Sequence, residues 1–468
     1  MRHLAIAFVL LVAACPEASR PDGSGANVDA AGVADASSDA GQVRDSNRAD
    51  GVHPDAVHGD AAVMDGAAAI DHGAASDHAA ASDHTTAADH ATSPDGGPPA
   101  DIWVTAYLAS WNLYVEPGGN WGNLPPDQID FTAFSHLIFF ALGVESDGAL
   151  SGIGDWQNFN SDRLNAIIPL AHSAGKPILF SVGGAGNHDT FAAAIAGGAT
   201  RAALVDNLIS ILTTWGFDGI DLDLEPINSG DEANFQALVN ALSTRLASLT
   251  TPLLDRPLLT AAVGPASAFA PVHDKFDQIN LMTYDMSGAW DGWVTWYNAP
   301  IYNGGWTFPS TSGPLPCADL MVDEFVSAGI PASKLGIGID FYGYVWRGGG
   351  GAVNGGVTGP RQGWTTAPSV VSLSYHEIMF TYFSSGVYHW DDVAKAAYLS
   401  TDEALNQNDR FISLDDENTA AAKVTYVRQK EIGGMIIWEL AGGYRSDQNA
   451  GQRDGLLQSL KQAWYSGQ

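Results

Sequence analysis

Short apolar runs recur through residues 101–468, separated by stretches whose apolar positions repeat every three or four residues. The runs fall at residues 102–109, 136–143, 177–184, 217–225, 258–264, 276–285, 335–341 and 434–440, and each has the length of a strand. Between them, residues 162–173 carry Leu164, Ile167, Ile168 and Ala171 on one helical stripe and stop at Gly175. Residues 200–215 do the same with Leu204, Leu208, Ile211 and Leu212 and stop at Gly216. Residues 231–247 open on Asp231 and Glu232, which suit the positive end of a helix, and continue with Phe235, Leu238, Val239, Leu242 and Leu246. Eight strands alternating with helices predict an α/β fold, a parallel sheet closed into a (β/α)8 TIM barrel. One connection is too long for this scheme. About 90 residues separate the seventh run from the eighth, far more than a helix and two loops need. The Gly-, Tyr- and Trp-rich part of it, residues 343–400, is expected to form a small α+β insertion between strands 7 and 8, with 419–431 as the last barrel helix.

The first hundred of the 468 residues are of another kind. Residues 1–14 combine Arg2 with an apolar run too short to span a bilayer, the pattern of an export signal. The run ends in Val12-Ala13-Ala14-Cys15, which resembles the lipobox of bacterial lipoproteins, where the peptide is cut before a Cys that receives lipid. An ordinary signal peptide with a chance Cys is the alternative. The expectation is an exported protein, lipid-anchored through Cys15 at the bacterial cell surface or outer membrane, otherwise secreted. Residues 15–100 are rich in Ala, Asp, Gly, Ser and His and lack the apolar surface to order themselves. Asp-His pairs repeat every six residues at Asp71-His72, Asp77-His78, Asp83-His84 and Asp89-His90. They read as a solvated tether, with weak zinc or nickel binding as the alternative. Cys317, without a partner if Cys15 is lipidated, reads as a buried bystander thiol. Net charge is −32; residues 1–100 hold 15 acids against 4 bases and the remainder 38 against 17. Both parts are acidic, which argues against nucleic acid as a partner.

The most informative run is Phe217–Glu225, Phe-Asp-Gly-Ile-Asp-Leu-Asp-Leu-Glu. Side chains alternate along a strand, so Asp221, Asp223 and Glu225 share one face and Ile220, Leu222 and Leu224 the other. Carboxylates about 6–7 Å apart on a buried face favour a retained proton. A barrel places functional groups at the C-terminal ends of its strands, so Glu225 is the candidate general acid. With only one acid of the row near the mouth, the nucleophile is expected from the substrate itself, as an N-acetyl group beside an anomeric carbon can supply, and not from a second carboxylate across the bond.

These residues carry a resemblance. Asp218 through Glu225 match the Asp-x-x-Asp-x-Asp-x-Glu signature of glycoside hydrolase family 18, the chitinases. Ser181-Val182-Gly183-Gly184 is similar to that family's Ser-x-Gly-Gly on the third strand, and Met282-Thr283-Tyr284-Asp285 to its Met-x-Tyr-Asp on the sixth. Trp438-Glu439 resembles its eighth-strand Trp, and Tyr107 to Trp111 its first strand. The resemblance implies that Glu225 protonates the glycosidic oxygen. It implies that Asp223 turns toward Glu225 and the substrate N-acetyl group, that Asp221 holds a proton with Asp223, and that Ser181 bonds into this row. Tyr284 would donate to the acetamide oxygen, Asp285 would touch the sugar, and Trp438 would form the floor. Departures stand at Tyr344, where many members have Arg, at Ala185, where a Trp is common, and after Leu440, where the usual nearby Asp is missing.

Asp218 has the opposite strand parity and reads as scaffold, as do Gly183 and Gly184. Further contacts to substrate are expected from Tyr107, Trp111, Met282 and Trp290. Trp293, Trp296 and Trp306 share the loop of Trp290 as candidate cleft residues, with Tyr342, Tyr344 and Trp346 on the cleft wall, whereas Trp215 reads as core. No metal and no cofactor is expected. The expected partner is chitin or another N-acetylglucosamine polymer, met by a monomer. The chitobiose core of N-glycans, peptidoglycan, or non-catalytic chitin binding are the alternatives.

Overall fold

The computed structural model describes residues 102–113, 124–153, 159–352 and 355–465. The expected export segment, Cys15 and the Asp-His tether lie outside the described residues.

Eight strands form the barrel: β1 (Trp103–Ala109), β2 (His136–Val144), β3 (Ile178–Gly183), β4 (Gly219–Asp223), β5 (Leu258–Ala262), β6 (Gln278–Leu281), β7 (Leu335–Asp340) and β8 (Gly434–Trp438). Each neighbouring pair is parallel, and β1 pairs with both β8 and β2, so the sheet closes on itself. The expected (β/α)8 barrel is the observed one. Helices cover the outside where the apolar stripes predict them: Ser161–Ser173, Gly198–Trp215, Glu232–Leu246 and Glu417–Gln429. The second of these ends at Gly216, whose left-handed φ of 74° lets its N–H reach the carbonyl of Leu212.

Strand alternation divides β4 as the sequence implies. Ile220, Leu222 and Leu224 are fully buried in the apolar layer under the helices, while Asp221 pairs by register with Ser181 on β3 and Thr260 on β5 inside the barrel. The strand is shorter than its apolar run. It stops at Asp223, and Glu225 stands just past its end, followed by Pro226. Likewise β6 stops at Leu281, and Thr283, Tyr284 and Asp285 lie on the backbone that leaves the sheet. There the Thr283 hydroxyl replaces ladder pairing, accepting from Gly338 N (2.8 Å) and lying 3.1 Å from Gly338 O.

The long connection folds as an antiparallel sheet of five strands in the order Ser369–Ser374, Tyr342–Arg347, Arg410–Leu414, Ala396–Thr401, Tyr388–Asp391, with helix Tyr375–Thr381. It starts at Tyr342 and runs to Leu414, beyond the expected 343–400. The last two of its strands in the chain, Ala396–Thr401 and Arg410–Leu414, carry no strong local signal. They become strands by pairing with Tyr342–Arg347 and Tyr388–Asp391. One apolar cluster joins this sheet to the barrel mouth, bringing Trp346, Phe411 and Val357 together with Tyr107, Tyr284 and Trp296.

Candidate active site

Asp221 lies deepest, fully buried. Three hydroxyls donate to it: Tyr107 (3.0 Å) and Ser181 (2.9 Å) to Oδ2, and Thr260 (2.6 Å) to Oδ1. Burial pushes its carboxyl up to about 6, and these donors hold it back from rising further. Asp223, one step nearer the mouth, has no such support. Its Oδ1 is buried without a hydrogen-bond partner. Its carboxyl is driven well above the ordinary range, first by burial and then by the charges of Glu225 and Asp221. Both carboxyls are raised, and the three fixed donors favour the charged form of Asp221 over that of Asp223. Strand parity shows the carboxylates but not the hydroxyls that neighbouring strands aim at one of them.

Glu225 is partly exposed at the mouth. Burial raises its carboxyl to about 7, Asp285 adds to the rise, and the backbone N–H of Ala185 opposes it. Asp285, from the segment after β6, is thus its main charged neighbour there. Sequence reasoning attributes the retained proton to the row on β4 alone.

Asp285 is held from two sides. Tyr342 (2.5 Å) and Tyr344 (2.7 Å) donate to its Oδ1. Its backbone, at a left-handed φ of 57° that is uncommon for a residue with a side chain, donates to Asn298 Oδ1 at 3.1 Å. Asn298 in turn donates to buried Asp340, at the end of β7. Tyr344, where a family Arg is common, therefore meets the same carboxylate with a neutral donor, and burial leaves Asp285 raised despite both tyrosines. Tyr284 packs its ring on Gly338 of β7, where an added Cβ would come within 2.6 Å of the ring. Its hydroxyl and that of Tyr107 stay protonated, because burial and the surrounding acids raise both well above the ordinary value.

The two glycines of Ser-x-Gly-Gly have definite tasks. Gly183 has φ 108°, and a Cβ there would lie 2.0 Å from the Asp223 carbonyl. Gly184 donates its N–H to that same carbonyl at 2.7 Å, and a Cβ on it would collide with the Phe140 ring. The pair wraps the backbone of Asp223, as only glycine can.

Trp438 ends β8 half-buried, beside Tyr107 (ring centroids 5.6 Å) and edge-on to Phe140 (4.7 Å). Trp111 meets the other side of Phe140 at 5.8 Å and is 39% exposed. Phe140, from the middle of β2, links these two aromatics and was not singled out by the sequence. Nor was Glu439. Its buried carboxylate accepts from Asn112 Nδ2 (3.1 Å), Gly442 N (2.9 Å), Ala441 N (3.2 Å) and Ala109 N (3.4 Å), tying the end of β8 to the end of β1. Met282 packs half-buried against the mouth cluster. Trp290 is half-buried and edge-on to Trp293 at 4.5 Å. Two expected cleft residues are core instead: Trp296 is fully buried with its Nε1 donating to Pro316 O, and Trp346 is fully buried in the insertion.

Asp218 lies at the opposite end of β4 and is fully buried. Its carboxylate receives Ile178 N (3.0 Å) and Leu253 N (3.3 Å) and bonds His172 Nε2 (2.8 Å). It fastens β3, a helix and the loop before β5, as a scaffold residue should. Asp218→Ala strands these groups and is expected to cost about 2–4 kcal/mol, since orphaned buried groups carry their full desolvation penalty. Thermal unfolding measures that loss. Turnover per folded molecule stays near wild type, and a loss of turnover without a loss of stability would move Asp218 into the chemistry.

The comparisons with known proteins agree with this geometry. Residues 104–443 match the model of glycosyl hydrolases family 18. Chitinase A1 of Niallia circulans is 30% identical over 292 residues, 56% of this chain and 40% of that protein. Endochitinase 1 of Metarhizium robertsii is 27% identical over 371 residues, 73% of this chain and 82% of that protein. Among solved structures, a Group IV chitinase of Ostrinia furnacalis in complex with allosamidin superimposes with a TM-score of 0.66 at 22% identity, over 78% of this chain and all of that one. The chain belongs to glycosyl hydrolases family 18 and is a glycoside hydrolase.

Proposed function

We propose that this chain is a chitinase that hydrolyses β-1,4-N-acetylglucosaminide bonds with retention, using the substrate's own acetamide as nucleophile. The observation that carries the reading is the graded acid row: Asp221 held by three hydroxyls, Asp223 with its buried Oδ1 unpartnered and its carboxyl raised, and Glu225 at the mouth with its carboxyl raised to about 7. The names of the chitinases similar to it support the polymer.

In the first step Glu225 gives its proton to the glycosidic oxygen as that bond breaks. The acetamide carbonyl oxygen of the same sugar forms the new bond to the anomeric carbon, closing an oxazolinium ring. Asp223 passes its proton to Asp221 and, now a carboxylate free at Oδ1, turns to accept the acetamide N–H and offset the ring's positive charge. Tyr284 donates to the acetamide oxygen, and Trp438 supports the sugar face. Water then gives its proton to Glu225 and attacks the anomeric carbon, and the carbon–oxygen bond of the ring returns its electrons to the acetamide. Two displacements leave the configuration retained. Proton NMR of chitin oligomer cleavage tests this: the β-anomer forms first. An α-anomer as first product excludes the acetamide as nucleophile, and no cleavage of chitin oligomers excludes the chitinase reading.

A further inference from the structure

We propose that Asp340, buried at the end of β7, is a positioning residue for the reaction: through Asn298 it holds the backbone of Asp285, and so keeps the Asp285 carboxylate beside Glu225. This inference rests on Glu225 being the acid of the reaction proposed above, and adds a group that acts through others.

β7 reads Leu-Gly-Ile-Gly-Ile-Asp. Ile337 and Ile339 enter the apolar layer under the helices, so Gly336, Gly338 and Asp340 occupy the opposite face. Asp340 is fully buried there, and a carboxyl in such a place is costly unless partners meet it. Asn298, from the loop after β6, donates its Nδ2 to Oδ2. Oδ1 accepts no hydrogen bond. Asp415, just ahead of the helix Glu417–Gln429, accepts from the Asp340 N–H at 3.2 Å. Lys423, fully buried on that helix, pairs with Asp415 and donates to Gly338 O at 2.8 Å. Burial, and then the charge of Asp415, drive the Asp340 carboxyl well above its ordinary range, against Lys423 and Asn298. The uncharged form is thus the favoured one at this position.

Two arms leave this cluster, and both end on the segment that carries Tyr284 and Asp285. One runs along the β7 backbone: Gly338, fixed by Lys423, meets the Thr283 hydroxyl with both its N–H and its carbonyl. The other runs through Asn298. Its Oδ1 accepts from Asp285 N at 3.1 Å, its N–H donates to Ser413 Oγ at 2.8 Å, and its carbonyl accepts from Met286 N at 3.0 Å. Asp285 depends on this second arm, because a left-handed φ of 57° is unfavourable for a residue with a side chain and persists only where the surroundings impose it. Held so, Asp285 meets the hydroxyls of Tyr342 and Tyr344, and its charge reaches Glu225. Glu225 is also met by Asp223, Tyr284 and the Ala185 N–H. Asp340 faces Asp415 and Lys423, and its charge is felt by Tyr284 and Tyr342. Among the groups around Glu225, Asp285 is the one that Asp340 reaches by way of Asn298.

Carboxyl carbon-13 NMR titration of the full chain reads the ionisation of Glu225 apart from turnover, its signal assigned by its absence in Glu225→Gln. Asp340→Leu fills nearly the same space but accepts nothing from Asn298. It is expected to lower the Glu225 value by about one unit, the scale on which a neighbouring charge acts. Asp340→Asn is uncharged and keeps the oxygen to which Asn298 donates, so it should hold the value near wild type. Asn298→Ala cuts the same link and leaves the Asp415–Lys423 pair untouched, so it should give the same fall, and it carries the test if Asp340→Leu does not fold. In a chain already carrying Asp285→Asn the charge is gone, and adding Asn298→Ala should lower the value no further, whereas general loosening would act on both backgrounds alike. An unchanged value in Asn298→Ala, an equal fall on the two backgrounds, or a shift in Asp340→Asn as large as that in Asp340→Leu or Asn298→Ala overturns the inference. If the values move as expected while the unmutated chain cleaves no chitin oligomer, the positioning role of Asp340 stands and the chitinase reading falls.

Discussion

Glu225→Gln is expected to lower kcat on chitin oligomers by about 10²–10⁴-fold, the usual contribution of a positioned general acid, while leaving oligomer binding in place. The amide keeps the size of the carboxyl but has no proton to give. The pH dependence carries the same assignment. An acid works only while protonated, and burial together with Asp285 holds Glu225 at about 7, not at its ordinary 4.5. The rate should therefore persist through mildly acid pH and fall ten-fold per unit above about pH 7. Asp285→Asn removes the second cause of the rise: without that negative neighbour the Glu225 anion is less disfavoured, its value drops, and the alkaline limb moves to lower pH. A kcat/KM profile across pH 4–9 for both proteins checks the direction. Full hydrolysis by Glu225→Gln, or an alkaline limb that moves upward in Asp285→Asn, would refute the assignment.

The parts of this site legible in the sequence share a cause. The acids of β4 alternate with aliphatic residues, and a period of two on a strand is visible without any neighbour. Gly216 ends a helix by its own conformation, so that boundary was legible too. What stayed hidden depends on partners far along the chain. Tyr107, Ser181 and Thr260 come from three different strands, and their meeting at Asp221 gives that carboxyl three donors. Tyr342 and Tyr344 reach Asp285 across more than fifty residues, and a tyrosine in a Gly-rich stretch gives no local sign of its acceptor. Trp296 and Trp290 occupy the same loop with the same composition around them, yet one is core and the other lies half-buried at the surface. Local pattern cannot separate them, because the insertion that covers Trp296 arrives later in the chain.

Asp223→Asn should separate function from stability at one residue. Its carboxyl carries an unpaired, buried Oδ1 and lies between two like groups, so the folded state holds its proton far above the unfolded value of 3.8. A raised carboxyl takes stability away wherever the unfolded chain would ionise, and takes none below about pH 3.8, where both states are protonated. An amide in its place is neutral at every pH. The variant should melt higher than wild type at pH 7, with the gain fading as pH falls toward 3. Catalysis should move the other way. The introduced amide cannot become the carboxylate that faces the acetamide and offsets the oxazolinium charge, and losing one such preorganised electrostatic partner costs about 10²–10³ in kcat. Melting curves at pH 3 and pH 7, taken with kcat on chitohexaose, test both halves together. A melting temperature that falls at pH 7 while kcat is unchanged would make Asp223 part of the scaffold. A rise in stability with a loss of turnover is the signature of a group kept at a strained site for the reaction it performs, because the unpaired oxygen that weakens the fold is the one that meets the substrate.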